Sequence, residues 1–299
     1  MFKTQIYPST FIYILIFTIL FFIGLIKLLF VWKTNEGQYT FKYVFIWLNG
    51  IIYNTVEGLL PDNNFKIDVM SQNIFAWMIG LVVAYHFFIF IKNEYQLNFF
   101  FKNIMNERIG MIALFLFITF FILPYIVTKE LNLSRLIFLS LFFVFLFLFL
   151  FYIVNKKMNS ILNEQQPFLR LHAINGILAF SFFCGFPMVI LIYGDNQLIE
   201  HTVYSAALLI VSIDYFFSRK RKVELQALFF INSLSKREKE VLLLILNNPN
   251  MKYSDLSDTL NISEKTLSTH LSSIYKKTGL KSKSNIEEMN QTLKKLISE

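Results

Sequence analysis

Long apolar runs separated by short polar segments fill the first two thirds of the chain. Seven runs are long enough to cross a bilayer's hydrocarbon core, for which an α-helix needs about 20 residues. They lie at 10–32, 41–60, 73–92, 108–127, 133–154, 170–193 and 198–217. The pattern predicts an all-α chain in which residues 1–217 form a seven-helix transmembrane bundle.

The first two runs have features that bear on whether they span the membrane. The first, Phe11 to Trp32, is longer than the core of a signal peptide and no small-residue cleavage pattern follows it, so we expect a retained span. The second run is the least apolar, because it carries Asn49, Asn54 and Glu57.

The pattern changes to short amphipathic segments after the last apolar run. Residues 218–233 contain no helix breaker and predict a linker helix, and residues 234–299 predict a small four-helix domain. Charged residues are only 16% of the whole chain, against about 25% in soluble proteins. Of the net charge of +8, residues 218–299 supply +6 (15 Lys and Arg minus 9 Asp and Glu), so the C-terminal part is a basic module.

Start signals divide this module into four helices. Ser235 and Glu238 have the spacing of a capping box, in which the serine caps the helix and the glutamate reaches back to the serine's backbone N–H. We expect Ser254 to cap a second helix and Ser263 to cap a third. Residues 284–296 are predicted to form the fourth helix.

Basic residues are unevenly divided between the segments that connect the apolar runs. Twelve Lys and Arg fall in one set, residues 32–42, 92–108, 155–170 and 218–222. The opposite set, 1–9, 61–72, 128–135 and 194–197, holds four. Because cytoplasmic segments are enriched in Lys and Arg, we expect the C-terminus in the cytoplasm. With seven spans the N-terminus then lies outside, and the lipid partner is the bacterial inner membrane.

The third helix of the basic module has two different faces. Leu267, Leu271 and Ile274 follow the i, i+4, i+7 spacing of a buried stripe. The residues that we expect to be exposed and to contact DNA are Lys265, Thr266, Ser268, Thr269, Ser272 and Lys276. A short helix, a tight turn and a helix that exposes donors and cations fit a DNA major groove. The alternative is a solvated face on a generic helical tail.

The segments LSKREKEVLLLIL and LSDTLNISEKTLSTHLSSIYKKTGLKSKSNI resemble the LuxR/NarL-type helix-turn-helix DNA-binding domain over roughly 60 residues. The resemblance implies that double-stranded DNA is the partner and that Ser268, Thr269 and Ser272 occupy base-reading positions. It also implies a homodimer formed through 284–296. Ser268 departs from the family, whose members often have Lys or Arg there, and three hydroxyls discriminate bases less sharply than a bidentate arginine.

Polar groups within the apolar runs mark candidate sensing residues, because such groups are costly inside a membrane. The set near the outer ends of the runs is predicted to line a small-molecule pocket and comprises Tyr53, Glu57, Trp77, Glu200 and His201. A second set near the inner ends, His86, His172 and Asp214, is predicted to couple the pocket to the DNA-binding module. The alternative for both sets is that they are interface residues or satisfy one another.

No phosphate-binding loop, zinc-protease motif or nucleophile elbow is present. We therefore predict no catalytic residues, cofactor or metal, and a membrane-bound one-component transcriptional regulator. The alternative is a transporter or intramembrane enzyme whose helical tail docks a partner protein. Proteolytic release of the module near 218–234 is a second route to regulation.

Overall fold

The computed structural model describes residues 6–96, 106–194, 196–248 and 251–278, and within these ranges all regular structure is helical. This confirms the predicted all-α class. The helices are α1 (Pro8–Val31), α2 (Asn35–Leu59), α3 (Val69–Glu94), α4 (Asn106–Phe117), α5 (Leu123–Thr128), α6 (Leu131–Leu162), α7 (Pro167–Tyr193), α8 (Gln197–Ser233), α9 (Lys236–Asn247), α10 (Tyr253–Thr259) and α11 (Glu264–Thr278).

The chain divides into two compact units. Met1–Gln165 and Arg170–Phe216 form the first, which we call the apolar unit. Gln166–Leu169 and Phe217–Glu299 form the second, the C-terminal unit. Helix α8 contributes residues to both units.

Among the described residues, six helical segments have the length and composition to cross a membrane. They start at Pro8, Val69, Asn106, Leu131, Pro167 and Gln197. Helix α2, predicted as the second of seven spans, is 25 residues long but is not among them. The structure therefore supports about six apolar helices.

Helix α2 is less apolar because one of its faces forms a polar seam with α8. Thr40, Trp47 and Asn54 are spaced by seven residues and lie on that face. Thr40 Oγ1 is 3.3 Å from Tyr215 Oη, and Trp47 Nε1 donates to Ser212 Oγ at 2.9 Å. Asn54 Nδ2 donates to Ser205 Oγ at 3.2 Å. The residue numbers of the partners in α8 decrease as those in α2 increase, so the two helices are antiparallel.

Glycine allows α1 to approach α2 closely. A Cβ on Gly50 would lie 2.6 Å from Phe17 Cδ2, which is closer than real Cβ contacts, and 3.0 Å from Leu208 Cδ1, which is a tight contact. A Cβ on Gly24 would lie 2.6 Å from Trp47 Cζ3. Small residues at helix crossings are the usual way to bring apolar helices together where lipid removes the hydrophobic driving force.

The predicted span 108–127 is one helical segment, Asn106–Thr128, that contains an irregular turn. A π-helical turn at Ile118–Ile122 separates α4 from α5, and Pro124 follows it. Proline has no N–H for the helical ladder, and π turns often accompany such irregularities. The turn presents Phe121, whose ring stacks on Trp77 of α3 at 4.6 Å between centroids.

The C-terminal unit has its own apolar core. Val241, Leu242 and Ile245 of α9 pack in one cluster with Leu267 and the other inward residues of α11. Ala227 and Ile231 of α8 are buried in the same cluster. The last turns of α8 are therefore part of this core.

The first turn of α7 is also attached within the C-terminal unit. Both carboxylate oxygens of Glu224 accept from Phe168 N, at 3.0 and 3.2 Å, and one accepts from Leu169 N at 2.9 Å. A carboxylate at a helix N-terminus satisfies backbone N–H groups that have no helical partner. Glu224 thus joins the start of α7 to α8.

We expect Gly50→Val to lower the thermal unfolding midpoint of the full chain in detergent, because overpacking costs about 1–3 kcal/mol. The matched control is Gly185→Val in α7, where an added Cβ meets nothing within 4 Å. Differential scanning calorimetry measures both. Equal midpoints for the two variants would contradict the close α1–α2 approach.

Candidate functional site

The start of α9 contains the predicted capping box. Ser235 Oγ accepts from Glu238 N at 3.3 Å, and Glu238 Oε2 accepts from Ser235 N at 2.7 Å. The prediction from the Ser-x-x-Glu spacing is confirmed.

The same glutamate fastens α9 to α11. Glu238 Oε1 accepts from Ser273 Oγ at 2.6 Å, and Lys277 Nζ donates to the two carboxylate oxygens at 2.8 and 2.6 Å. The residue is only 4% exposed. Hydrogen bonds from Lys277, then Ser273, hold the pKa of Glu238 at about 2, below the usual 4.5. The carboxylate therefore stays ionised and fixes the second half of α11.

Its neighbour Arg237 fastens α9 to α10. Arg237 Nη2 donates to the carbonyl oxygen of Leu260 at 2.5 Å, and Leu260 is the C-cap of α10. Nη1 donates to Glu240 Oε2 at 2.5 Å. Two adjacent residues of α9 therefore hold the other two helices, because Arg237 binds the end of α10 and Glu238 binds α11.

The turn between α10 and α11 uses a left-handed residue. Asn261 has φ of +51°, a conformation that asparagine adopts more readily than most residues. Ser263 then caps α11 as predicted, accepting from Thr266 N at 3.1 Å. The expectation that Ser254 caps α10 is wrong. That helix begins at Tyr253 after Lys252, and the Ser254 hydroxyl donates to Asp255 Oδ1 instead.

Helix α11 shows the two faces expected from its sequence. Leu267, Leu271 and Ile274 are buried. Lys265, Thr266, Ser268, Thr269, Ser272 and Lys276 are all exposed. Thr269 Oγ1 donates to the carbonyl oxygen of Lys265 at 3.0 Å, which leaves its oxygen as an acceptor. The predicted fourth helix, 284–296, lies outside the described residues.

The apolar unit contains a cavity of about 430 Å³ lined by α2, α3, α4, α6, α7 and α8. Tyr53, Glu57, Trp77 and Glu200, four of the five predicted pocket residues, line it. Most other lining residues are apolar. Tyr53 Oη donates to Glu200 Oε1 at 2.5 Å, so this polar end joins α2 to α8.

His201 is not among the described residues that line this cavity. It is 1% exposed, and its Nδ1 is 2.9 Å from Asn54 Oδ1 in the α2–α8 seam. Because an amide oxygen can only accept, Nδ1 carries the hydrogen in this contact. The residue forms part of the helix packing beside the cavity.

The three predicted coupling residues separate into two groups. His172 Nδ1 is 2.7 Å from Asp214 Oδ2, which pairs α7 with α8. His86 Nδ1 instead lies 2.6 Å from Asn49 Nδ2 of α2. Glu94, which we did not single out in the sequence, joins His172 and Asp214 in a cluster with metal-ligand chemistry.

Residues 232–289 match the family model GerE, described as bacterial regulatory proteins of the luxR family. The match covers α9, α10 and α11 and supports a helix-turn-helix of the LuxR type, a domain associated with DNA-binding transcription regulation. Comparison with curated proteins and with solved structures finds no match.

The ionised state of Glu238 makes the stability of the C-terminal unit depend on pH. Its folded pKa of about 2 is below the ordinary 4.5. The stabilisation is therefore complete above pH 4.5 and is lost as the pH falls toward 2. We expect Glu238→Gln to destabilise the unit by about 2–3 kcal/mol at neutral pH and to reduce this acid dependence.

Hydrogen–deuterium exchange of peptides from α9 and α11 in the full chain measures this effect. The control is Glu240→Gln, since Glu240 is exposed and its pair with Arg237 is a surface contact worth little. Similar exchange in both variants would show that the buried carboxylate does not fix α11.

Proposed function

We propose that this protein is a membrane-bound one-component transcriptional regulator. It senses a small molecule in the apolar unit and binds DNA through α11. The observation that carries the proposal is the exposed hydroxyl and ammonium face of α11, fixed by α9 in a helix-turn-helix and attached through α8 to an apolar helical unit. The luxR-family match over 232–289 supports the DNA-binding part.

DNA binding follows from the chemistry of the exposed face. Lys265 and Lys276 contact phosphates near the two ends of the helix, and such contacts supply sequence-independent affinity. Ser268, Thr269 and Ser272 face the base edges, with Thr266 beside the first phosphate contact. Because the Thr269 hydroxyl donates within its own helix, it accepts from a base amino group.

Membrane insertion as seven spans is supported by the six apolar helices and by the position of α2. Helix α2 is antiparallel to α8 and buries much of its surface, including Tyr43, Ile46 and Trp47, so its lower hydropathy reflects contact with protein instead of lipid. With seven spans, the excess of Lys and Arg on one side favours a C-terminus in the cytoplasm of a bacterium and an N-terminus outside.

Sensing is assigned to the cavity of the apolar unit. A largely apolar lining with a carboxylate and hydroxyl end suits a small amphipathic ligand. Glu200 of α8 lines the cavity, so a ligand there contacts the helix that continues to Ser233. The His172–Asp214 pair holds α8 to α7 in one of the two states that the ligand selects between. The LuxR-type resemblance implies a homodimer through 284–296, which lies outside the described residues.

The DNA-binding test uses the full chain in nanodiscs with duplex DNA of mixed sequence. We expect Lys265→Ala/Lys276→Ala to weaken binding about tenfold or more. The slope of log affinity against log salt should also flatten by about 0.9 for each lost phosphate contact. Fluorescence anisotropy at several salt concentrations measures both.

The control variant, Lys236→Ala, removes an exposed lysine at the start of α9. It should retain the affinity and the slope of the unmodified chain. A chain that binds no DNA even at low salt would instead support the rival function, a transporter or membrane enzyme with a protein-docking tail.

The sensing test fills the cavity. Ala84→Phe places a ring in the cavity, and Glu57→Ala removes a polar group from its lining. The readout is the set of genes whose transcript levels change when this protein is deleted. In cells with the unmodified protein, these levels differ between growth conditions. We expect both variants to abolish that difference. The DNA affinity measured in nanodiscs should stay within about twofold, since the cavity lies outside the DNA-binding unit.

The matched control is Val82→Phe on the same helix, where the side chain is 57% exposed. It should leave the transcript response intact. Wild-type responses in both Ala84→Phe and Glu57→Ala would exclude the cavity as the sensor. Immunoblots for a soluble C-terminal fragment separate regulation in the intact chain from proteolytic release near 218–234.

A further inference from the structure

Three helices of the apolar unit bring metal-ligating groups together. Glu94 is the last residue of α3, His172 lies in the second turn of α7, and Asp214 belongs to α8. One ligand atom from each lies within 4.8 Å of the others. The closest pair is His172 Nδ1 and Asp214 Oδ2, at 2.7 Å.

The surrounding residues fix the imidazole. The Tyr95 ring packs against His172 with centroids 4.7 Å apart. Tyr95 can lie there only because residue 176 is glycine, where a Cβ would come within 2.5 Å of the tyrosine Cγ. Lys157 Nζ donates to the carbonyl oxygen of Tyr95 at 2.7 Å and holds the end of α3.

We propose that Glu94, His172 and Asp214 bind a divalent transition-metal ion such as Zn²⁺. One imidazole and two carboxylates form a ligand set that suits Zn²⁺ and neighbouring metals, whereas Mg²⁺ and Ca²⁺ prefer oxygen alone. Asp214 is 2% exposed, while Glu94 and His172 are partly exposed, which gives water a path to the remaining coordination positions.

Binding requires the side chains to rotate. Ligand atoms about 2.0–2.2 Å from one tetrahedrally coordinated ion lie about 3.4 Å apart. The three ligand atoms now lie within 4.8 Å of one another, so the more distant atoms move closer, while His172 Nδ1 and Asp214 Oδ2, at 2.7 Å, move apart. The hydrogen bond between His172 and Asp214 is replaced by two metal bonds. The three side chains also have other interactions within the chain, with which the ion competes.

A bound ion would link α3, α7 and α8 at one point. This goes beyond the proposed sensing of an amphipathic molecule, because the cluster shares no residue with the cavity lining. Metal binding is measured without DNA, so its failure leaves the proposed regulator untouched.

The experiment uses the full chain, purified in nanodiscs without a histidine tag and treated with a chelator. Titration with Co²⁺ should give visible d–d absorption that saturates at one ion per chain, and Zn²⁺ should displace the Co²⁺. We expect His172→Ala and Glu94→Gln to weaken Co²⁺ binding by a hundredfold or more. Loss of even an outer-shell partner costs about 10–100-fold.

The matched control is His86→Ala, which removes a histidine of the same unit outside the cluster. It should bind Co²⁺ as the unmodified chain does. Glu94→Gln preserves the size of the side chain, and a monodisperse elution profile verifies that each variant is folded. Absence of saturable absorption, or equal binding by His172→Ala and the unmodified chain, would show that the cluster is an ion pair only.

Discussion

A buried carboxylate determines how the C-terminal unit is built. Glu238 accepts hydrogen bonds from the backbone of its own helix cap and from Ser273 and Lys277 of α11. A charge that is 4% exposed is tolerated only when several donors surround it, and here they come from two helices. Removing any donor leaves part of the charge unsatisfied, so the orientation of α11 relative to α9 is tightly constrained. Arg237 applies the same constraint to α10 through the carbonyl of Leu260.

The apolar unit depends on a different arrangement, a polar seam between α2 and α8. Within an apolar environment a hydrogen bond between side chains has no water competing for it, so pairs such as Trp47–Ser212 specify which helices are neighbours. Gly50 permits the close packing that brings these groups together. The seam also continues to Tyr53 and Glu200 at the edge of the cavity, so packing and the candidate sensing site share the same two helices.

The features that could be predicted from the sequence depend on residues close together in the chain. The capping box at Ser235, the cap at Ser263 and the buried stripe of α11 each depend on residues within one helical turn or on one helical period, and the structure confirms them. Ser254 was wrongly placed because the neighbouring Tyr253 already begins the helix.

Contacts between distant parts of the chain could not be predicted in this way. Glu238 was identified as a cap, but its bonds to residues 35 and 39 positions further along the chain form only when α11 packs on α9. Hydropathy is likewise similar for a helix that buries polar groups against its neighbours and for a weakly apolar span, so α2 was predicted as a span although its polar face packs on α8. The convergence of His172 with Asp214 and Glu94, and the separate contact of His86 with Asn49, depend on helix rotation that hydropathy does not encode.

Different positions of α11 hold the helix in place and face outward. Among the described residues, Leu267, Leu271 and Ile274 fill the core, and Ser273 and Lys277 bind Glu238, whereas Ser268, Thr269 and Ser272 are exposed. The outward positions can therefore change during evolution without endangering the fold. If α11 reads DNA as proposed, a few substitutions at these serines and threonine would change the preferred DNA sequence of a duplicated copy and leave its core as it is.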